Sequence, residues 1–119
     1  MELRVSREEG YVLACASGSI DDSAGDLFRK YLHPLVGQHG TKLVLDLSQA
    51  KRVNSAGLSH LVMLATNANT HSIRVVLAAC SPFISVVLNR SKLDQFFETA
   101  ESVREAVVRI LDKADDKDG

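Results

Sequence analysis

Apolar positions along the chain fall into short runs separated by polar or glycine-bearing breaks. Leu3 to Val5 and Tyr11 to Ala16 read as strands, with Glu8-Glu9-Gly10 as the turn of a hairpin between them. Ser17 to Asp22 reads as a polar loop, and Asp21, Asp22 or Ser23 can cap the helix that follows. That helix carries Leu27, Tyr31 and Leu32, then Leu35 and Val36 beyond Pro34, which either kinks or ends it. After a turn at Gly37 to Gly40, Lys42 to Leu47 is almost continuously apolar, as in a central strand covered on both faces. A second helix is expected from Ser55 or Ala56 to about Asn69. Its stripe is Leu58, Leu61, Val62 and Ala65, widened by Leu64 and Ala68.

Ile73 to Ala78, rich in β-branched residues, is the next strand. Ser81-Pro82 has the form of a helix start, Ser as cap and Pro at the first helical position. Phe83, Ile84, Val86, Val87 and Leu88 make that helix apolar nearly all round. Leu93 to Phe97 is either a last short strand or an irregular connection. Val103, Ala106, Val107, Ile110 and Leu111 then give an amphipathic helix, with Thr99 as its expected cap. Strands alternating with helices after residue 40 predict an α/β domain. Its sheet is mixed but mostly parallel, with four to five strands and about four helices. Residues 1–112 read as one domain and 113–119 as a disordered charged tail.

Composition narrows the function classes. A length of 119 residues suits one domain with a real core, and a net charge of -1 supplies no field for nucleic acid or acidic membranes. Lys51 and Arg52 are only a local basic pair. No apolar stretch is long enough for a membrane span, and Met1 to Val5 has no signal-peptide pattern. Cys15 and Cys80 sit in apolar runs without metal or redox spacing, so they read as buried reduced thiols, which suits a cytoplasm.

His33, His39, His60 and His71 show no metal-ligand spacing and read as surface polar residues. Asp21, Asp22 and Asp46 can be pictured as a cation cluster, but two of them more simply serve a helix N-terminus. No GxSxG elbow and no phosphate-cradling GxxxxGK[ST] loop is present. No catalytic residue, metal or cofactor is expected.

The informative stretch is "KRVNSAGLSHLV", residues 51–62, where a strand gives way to a helix through Asn54, Ser55, Ala56 and Gly57. A hydroxyl there either caps the helix, worth about 1 kcal/mol, or is left open to something outside the chain. A phosphate on Ser55 would meet the unpaired N–H groups of the first turn and the positive end of the helix dipole.

With "SGSIDDSAGDLF" before it, and "IRVVLAACSPFISVVLNRSKLDQFFE" and "SVREAVVRI" after, the stretch "LVLDLSQAKRVNSAGLSHLV" resembles the STAS domain of bacterial anti-sigma factor antagonists. The resemblance runs from about Leu13 to Ile110. It rests on an Asp-Leu-Ser strand end, a short gap and a small-residue Ser-x-Gly-Leu helix start. It implies a role by protein contact. Switch-type members bind an anti-sigma factor that is also a serine kinase and so release a sigma factor. The kinase ends the interaction by phosphorylating the serine at the helix start, and a serine phosphatase restores it.

Carried onto this chain, the acceptor is Ser55. Asn54 stands where the family usually has Asp, keeping the size and an acceptor oxygen but not the charge. Ala56 replaces a commoner Ser. The family also includes stressosome scaffold subunits, transporter domains and lipid-transport accessory subunits, so a STAS adaptor whose Ser55 is only a cap is the alternative. Helical spacing puts Ser55, Ser59 and Met63 on one face, flanked by His60, Thr66 and Asn67. Met63 is either a contact residue or the edge of the buried stripe. With Asn54, and with Ser19 and Asp21 from the preceding loop, these residues form the expected partner surface. The protein is expected to be a monomer or weak homodimer.

Overall fold

The computed structural model describes residues 1–112. The expected tail, 113–119, lies outside the described residues. The element order is β1 (Glu2–Glu8), β2 (Tyr11–Ile20), α1 (Ser23–Tyr31), α2 (His33–Val36), β3 (Lys42–Val53), α3 (Ser55–Thr70), β4 (Arg74–Ala78), α4 (Pro82–Arg90), β5 (Glu98–Ala100) and α5 (Val103–Ile110). The strands lie in the order β1-β2-β3-β4-β5, with β1 antiparallel to β2 and every later pair parallel. This is the mixed, mostly parallel sheet expected. It has five strands, and the helices number five among the described residues because Pro34 opens a separate short α2 after α1 ends.

Period-two alternation divides the core. Leu43, Leu45 and Leu47 of β3 and Leu77 of β4 point to one face, where they meet Phe28, Leu61, Leu64, Ile84 and Leu88 of α1, α3 and α4, and Leu32 at the junction of α1 and α2. Val44, Val76 and Ala78 point to the other face, which α5 covers with Ala106 and Ile110. At the β4–β5 edge Arg74 donates through two nitrogens to Glu98, at 2.8 and 2.6 Å, a fork geometry that pins the short last strand.

The segment Leu93 to Phe97 is the irregular connection, the second of its two readings, and the strand follows it at Glu98–Ala100. Three expectations are corrected. Thr99 is therefore committed to the β4–β5 ladder, opposite Leu77, and Ser102 caps α5 by accepting from the Glu105 N–H at 3.0 Å. Ser17 to Ile20 is strand, not loop, because it pairs with β3. And β3 runs on to Val53, well past Leu47.

The last two share a cause. Between Cys15 and Ser17, and again between Gly18 and Ser19, β3 carries one more residue than β2. Such bulges break the two-residue alternation, so the buried residues of this stretch are Leu47, Ala50 and Val53, three apart.

This overhanging end of β3 has no β4 partner, because β4 pairs only with Lys42 to Asp46. Helix α4 closes the gap. Ser81 caps α4, its Oγ accepting from the Ile84 N–H at 3.5 Å, and the same hydroxyl donates to the Ala50 carbonyl at 2.8 Å. Ser81→Ala removes both contacts and strands a part-buried carbonyl, so it should cost about 1–3 kcal/mol in denaturant unfolding.

Candidate functional site

The junction of β3 and α3 is built on the end of β2. Ile20 pairs with Val53, and its carbonyl accepts from the Asn54 N–H at 3.1 Å. Asn54 is extended (φ -102°, ψ -179°), and its side-chain oxygen accepts from the Gly57 N–H at 2.8 Å. The Asn54 carbonyl accepts from Leu58 N–H at 2.8 Å, the first bond of the helix. Asn54 is thus the cap, and of the two readings of Ser55 the capping one is corrected. Ser55 already has helical backbone and sits one residue too late for its side chain to reach back.

Gly57 has a steric duty as well. A Cβ there would lie 1.8 Å from the Ile20 carbonyl oxygen and 2.4 Å from its carbon. The third helical residue must have no side chain, since the helix start lies against the end of β2. The Ser-x-Gly spacing carries this signal in the sequence, because a glycine inside a helical pattern costs about 1 kcal/mol relative to Ala unless close approach requires it.

Ser55 is exposed, and among the described residues its hydroxyl has no hydrogen-bond partner. Its carbonyl accepts from the Ser59 hydroxyl at 3.0 Å. The N–H groups of Ser55 and Ala56 precede the first intrahelical bond, so they remain available at the positive end of a 16-residue helix. Asn54→Ala should therefore cost about 1 kcal/mol, while Ser55→Ala should change thermal stability by less than about 0.5 kcal/mol. Calorimetry of the two variants separates capping from exposure.

The remaining expected residues cluster around this point. Ser59 is exposed one turn along, and Met63 is 58% exposed a further turn on, so Met63 is not part of the buried stripe. Together with Leu58, Val62, Thr66 and Leu93 they line an open groove of about 790 Å³ along α3. Ser19 is exposed on β2 opposite Arg52. Asp21 follows the end of β2. The Ser23 hydroxyl (2.6 Å) and then the Ser23 N–H (3.0 Å) donate to its carboxylate and hold its pKa below the usual range. Asp22 is the N-cap position of α1, without a side-chain cap bond.

Two expectations about other side chains change. His33 and His60 are half-buried where α1 and α2 meet α3, not surface residues. Asn67 Nδ2 lies 2.8 Å from His33 Nδ1, which accepts when the ring is neutral. Burial first, then the charges of Arg29 and His60, lower the His33 pKa. The sign follows. Neutral His33 contributes stability that is complete above its unfolded pKa of about 6.5 and is lost as pH falls through its lower folded pKa. Between pH 8 and pH 5 the wild-type chain should therefore lose more melting temperature than the His33→Gln chain, which has no titrating group at this position.

Cys15 and Cys80 are free and half-buried rather than fully buried. Burial pushes both thiols up, and Asp46, whose carboxylate accepts from Cys15 Sγ at 3.7 Å, raises Cys15 further. Neither thiol is activated as a nucleophile. Among the described residues no group of three or more His, Cys, Asp or Glu could hold a metal ion. No helix among them is long and apolar enough to cross a membrane.

Comparison with known proteins agrees with this geometry. The STAS domain model matches residues 3–106. BtrV of Bordetella bronchiseptica, a protein named as an anti-sigma factor antagonist, is 26% identical over 114 residues, which is 96% of this chain and 97% of BtrV. The crystal structure of an anti-sigma factor antagonist from Mycobacterium paratuberculosis superposes with a TM-score of 0.81 at 21% identity, covering 93% of this chain and 94% of that one. The Bacillus cell fate determinant SpoIIAA in its phosphorylated form superposes with a TM-score of 0.71 at 17% identity, over 92% of this chain and 99% of that one. With the family model spanning almost every element from the first strand into the last helix, the chain belongs to the STAS domain family.

Proposed function

We propose that this chain is a cytoplasmic anti-sigma factor antagonist. It binds an anti-sigma factor that is also a serine kinase, so that a sigma factor is released, and phosphorylation of Ser55 ends the contact. A serine phosphatase restores it. The observation that carries this reading is the division of labour at the helix start. Asn54 does the capping, and the Ser55 hydroxyl is left exposed and, among the described residues, without a partner. An acceptor serine must be reachable by a kinase and dispensable to the fold, and Ser55 meets both conditions. In the alternative, a STAS adaptor or scaffold subunit that is not phosphorylated, Ser55 is an ordinary exposed residue of α3, and the phosphorylation assay below separates the two readings.

Asn54 bears on the rate of phosphorylation. An Asp at this position would cap equally well and tolerates the helix N-terminus, so Asn54→Asp should fold normally. If the family's acidic residue assists kinase docking, the variant should be phosphorylated faster, and an unchanged rate would remove that role. Pull-down with Ser55→Ala followed by mass spectrometry identifies the kinase. Incubation of the wild-type chain with that kinase and ATP should then add one phosphate, at Ser55. No added mass, or a phosphate elsewhere, would end the switch reading.

A further inference from the structure

Beside the Ser55 face lies a second exposed surface, on α4 and the overhanging end of β3. Phe83 and Val86, three residues apart on α4, are 45% and 50% exposed. The Arg52 guanidinium lies over the Phe83 ring, 6.0 Å from its centroid. The neighbouring Lys51 is exposed too. Neither cation takes part in an ion pair among the described residues. Asp21 accepts from Ser23 and makes no ion pair with either of them. The surface is therefore an apolar pair rimmed by two positive charges without an ion-pair partner among the described residues, in a chain whose net charge is -1. It is held in place by a buried anchor, since Ser81 ties the start of α4 to Ala50 and Ile84 is fully buried beneath the helix. Arg52 precedes Ser55 by three residues, so the patch and the acceptor serine share one end of the sheet.

We infer that Arg52, Phe83 and Val86 form a second docking element for the same anti-sigma factor, and that they receive an apolar side chain flanked by a carboxylate. This rests on the partner assigned under the proposed function. Charge complementarity selects the occupant. A stacked guanidinium is poorly hydrated on one side and keeps its outer N–H donors free for a carboxylate. The exposed Phe83 and Val86 add a desolvated contact of the kind that anchors interfaces. A purely apolar partner would leave Arg52 and Lys51 unanswered, and a basic one would be repelled.

The test is calorimetric titration of the anti-sigma factor kinase recovered with the Ser55→Ala chain. Its arms are wild type, Ser55→Asp, Arg52→Glu, Arg52→Ala, Val86→Asp and Val108→Asp. Val108, on α5, is 65% exposed on the opposite side of the sheet and serves as the control. Arg52→Glu and Val86→Asp should each weaken binding at least tenfold with unchanged melting temperature, and Val108→Asp should bind as wild type. Arg52→Ala should also flatten the salt dependence of affinity, as loss of a charge contact does. Wild-type affinity for both variants, while Ser55→Asp still binds weakly, overturns the α4 surface alone. Absence of wild-type binding to the kinase overturns both this surface and the proposed function.

Discussion

Gly57→Ala should be the most damaging single methyl group that can be added to this domain. The new Cβ would be placed 1.8 Å from the Ile20 carbonyl oxygen and 3.0 Å from the Asp21 nitrogen, and both neighbours are backbone. No rotamer change relieves such a contact. Either the start of α3 moves away from the end of β2, or β2 gives up its last pairing with β3. The first breaks the Asn54 N–H to Ile20 bond, and the second uncovers Ile20, which is fully buried. Overpacking commonly costs 1–3 kcal/mol and sometimes more, and a backbone-on-backbone clash belongs at the upper end. Alanine's better helix propensity returns only about 1 kcal/mol. A net loss of roughly 2 kcal/mol or more should appear as a melting temperature lower by on the order of 10 °C. Ala56→Ser, one residue earlier and half-exposed, should melt within about 0.5 kcal/mol of wild type. Equal melting of the Gly57→Ala and wild-type chains would show that α3 does not rest on β2 as described.

Phosphorylation of Ser55 should have the largest effect on binding and almost none on the fold. It adds about -1.5 to -2 charge and three acceptor oxygens. In the free chain the Ser55 and Ala56 N–H groups and the helix dipole can answer that charge, and the Asn54 cap is not displaced. Circular dichroism of the phosphorylated chain should therefore match that of the unmodified chain. A partner surface fitted to a neutral hydroxyl would have to desolvate the phosphate without new donors, or meet it with like charge. A penalty of about 3 kcal/mol is already more than a hundredfold in affinity. Ser55→Asp, with less charge and fewer oxygens, should lose only part of it.

How much of this was legible beforehand depends on the kind of signal. The hydrophobic periodicity of α3 and α5 and the apolar runs of β3 and β4 are local, and they mark those elements correctly. The Ser81-Pro82 start of α4 is equally local, and Ser81 does cap the helix. The continuation of β3 to Val53 was hidden because two bulges replace the alternating pattern with Leu47, Ala50 and Val53. The capping roles of Asn54 and Ser102 were misplaced by one and three residues. Ser, Thr and Asn are all good caps, and only the backbone dihedrals decide among neighbours.

At the site, the shared face of Ser55, Ser59 and Met63 follows from helical spacing. The exposure of Met63 does not, because an apolar residue beside a broad buried stripe looks the same in sequence whichever side of the edge it falls on. The Arg52–Phe83 stacking joins residues 31 apart through a strand end and a helix start, and nothing local announces it.

The most direct test of the switch is a calorimetric titration of the anti-sigma factor kinase with this chain in unmodified and Ser55-phosphorylated forms, at one salt concentration and one pH. The account predicts measurable binding of the unmodified chain and at least about a hundredfold weaker binding of the phosphorylated one, with Ser55→Asp between them. Equal affinities for the two forms would place Ser55 outside the interface and contradict the account.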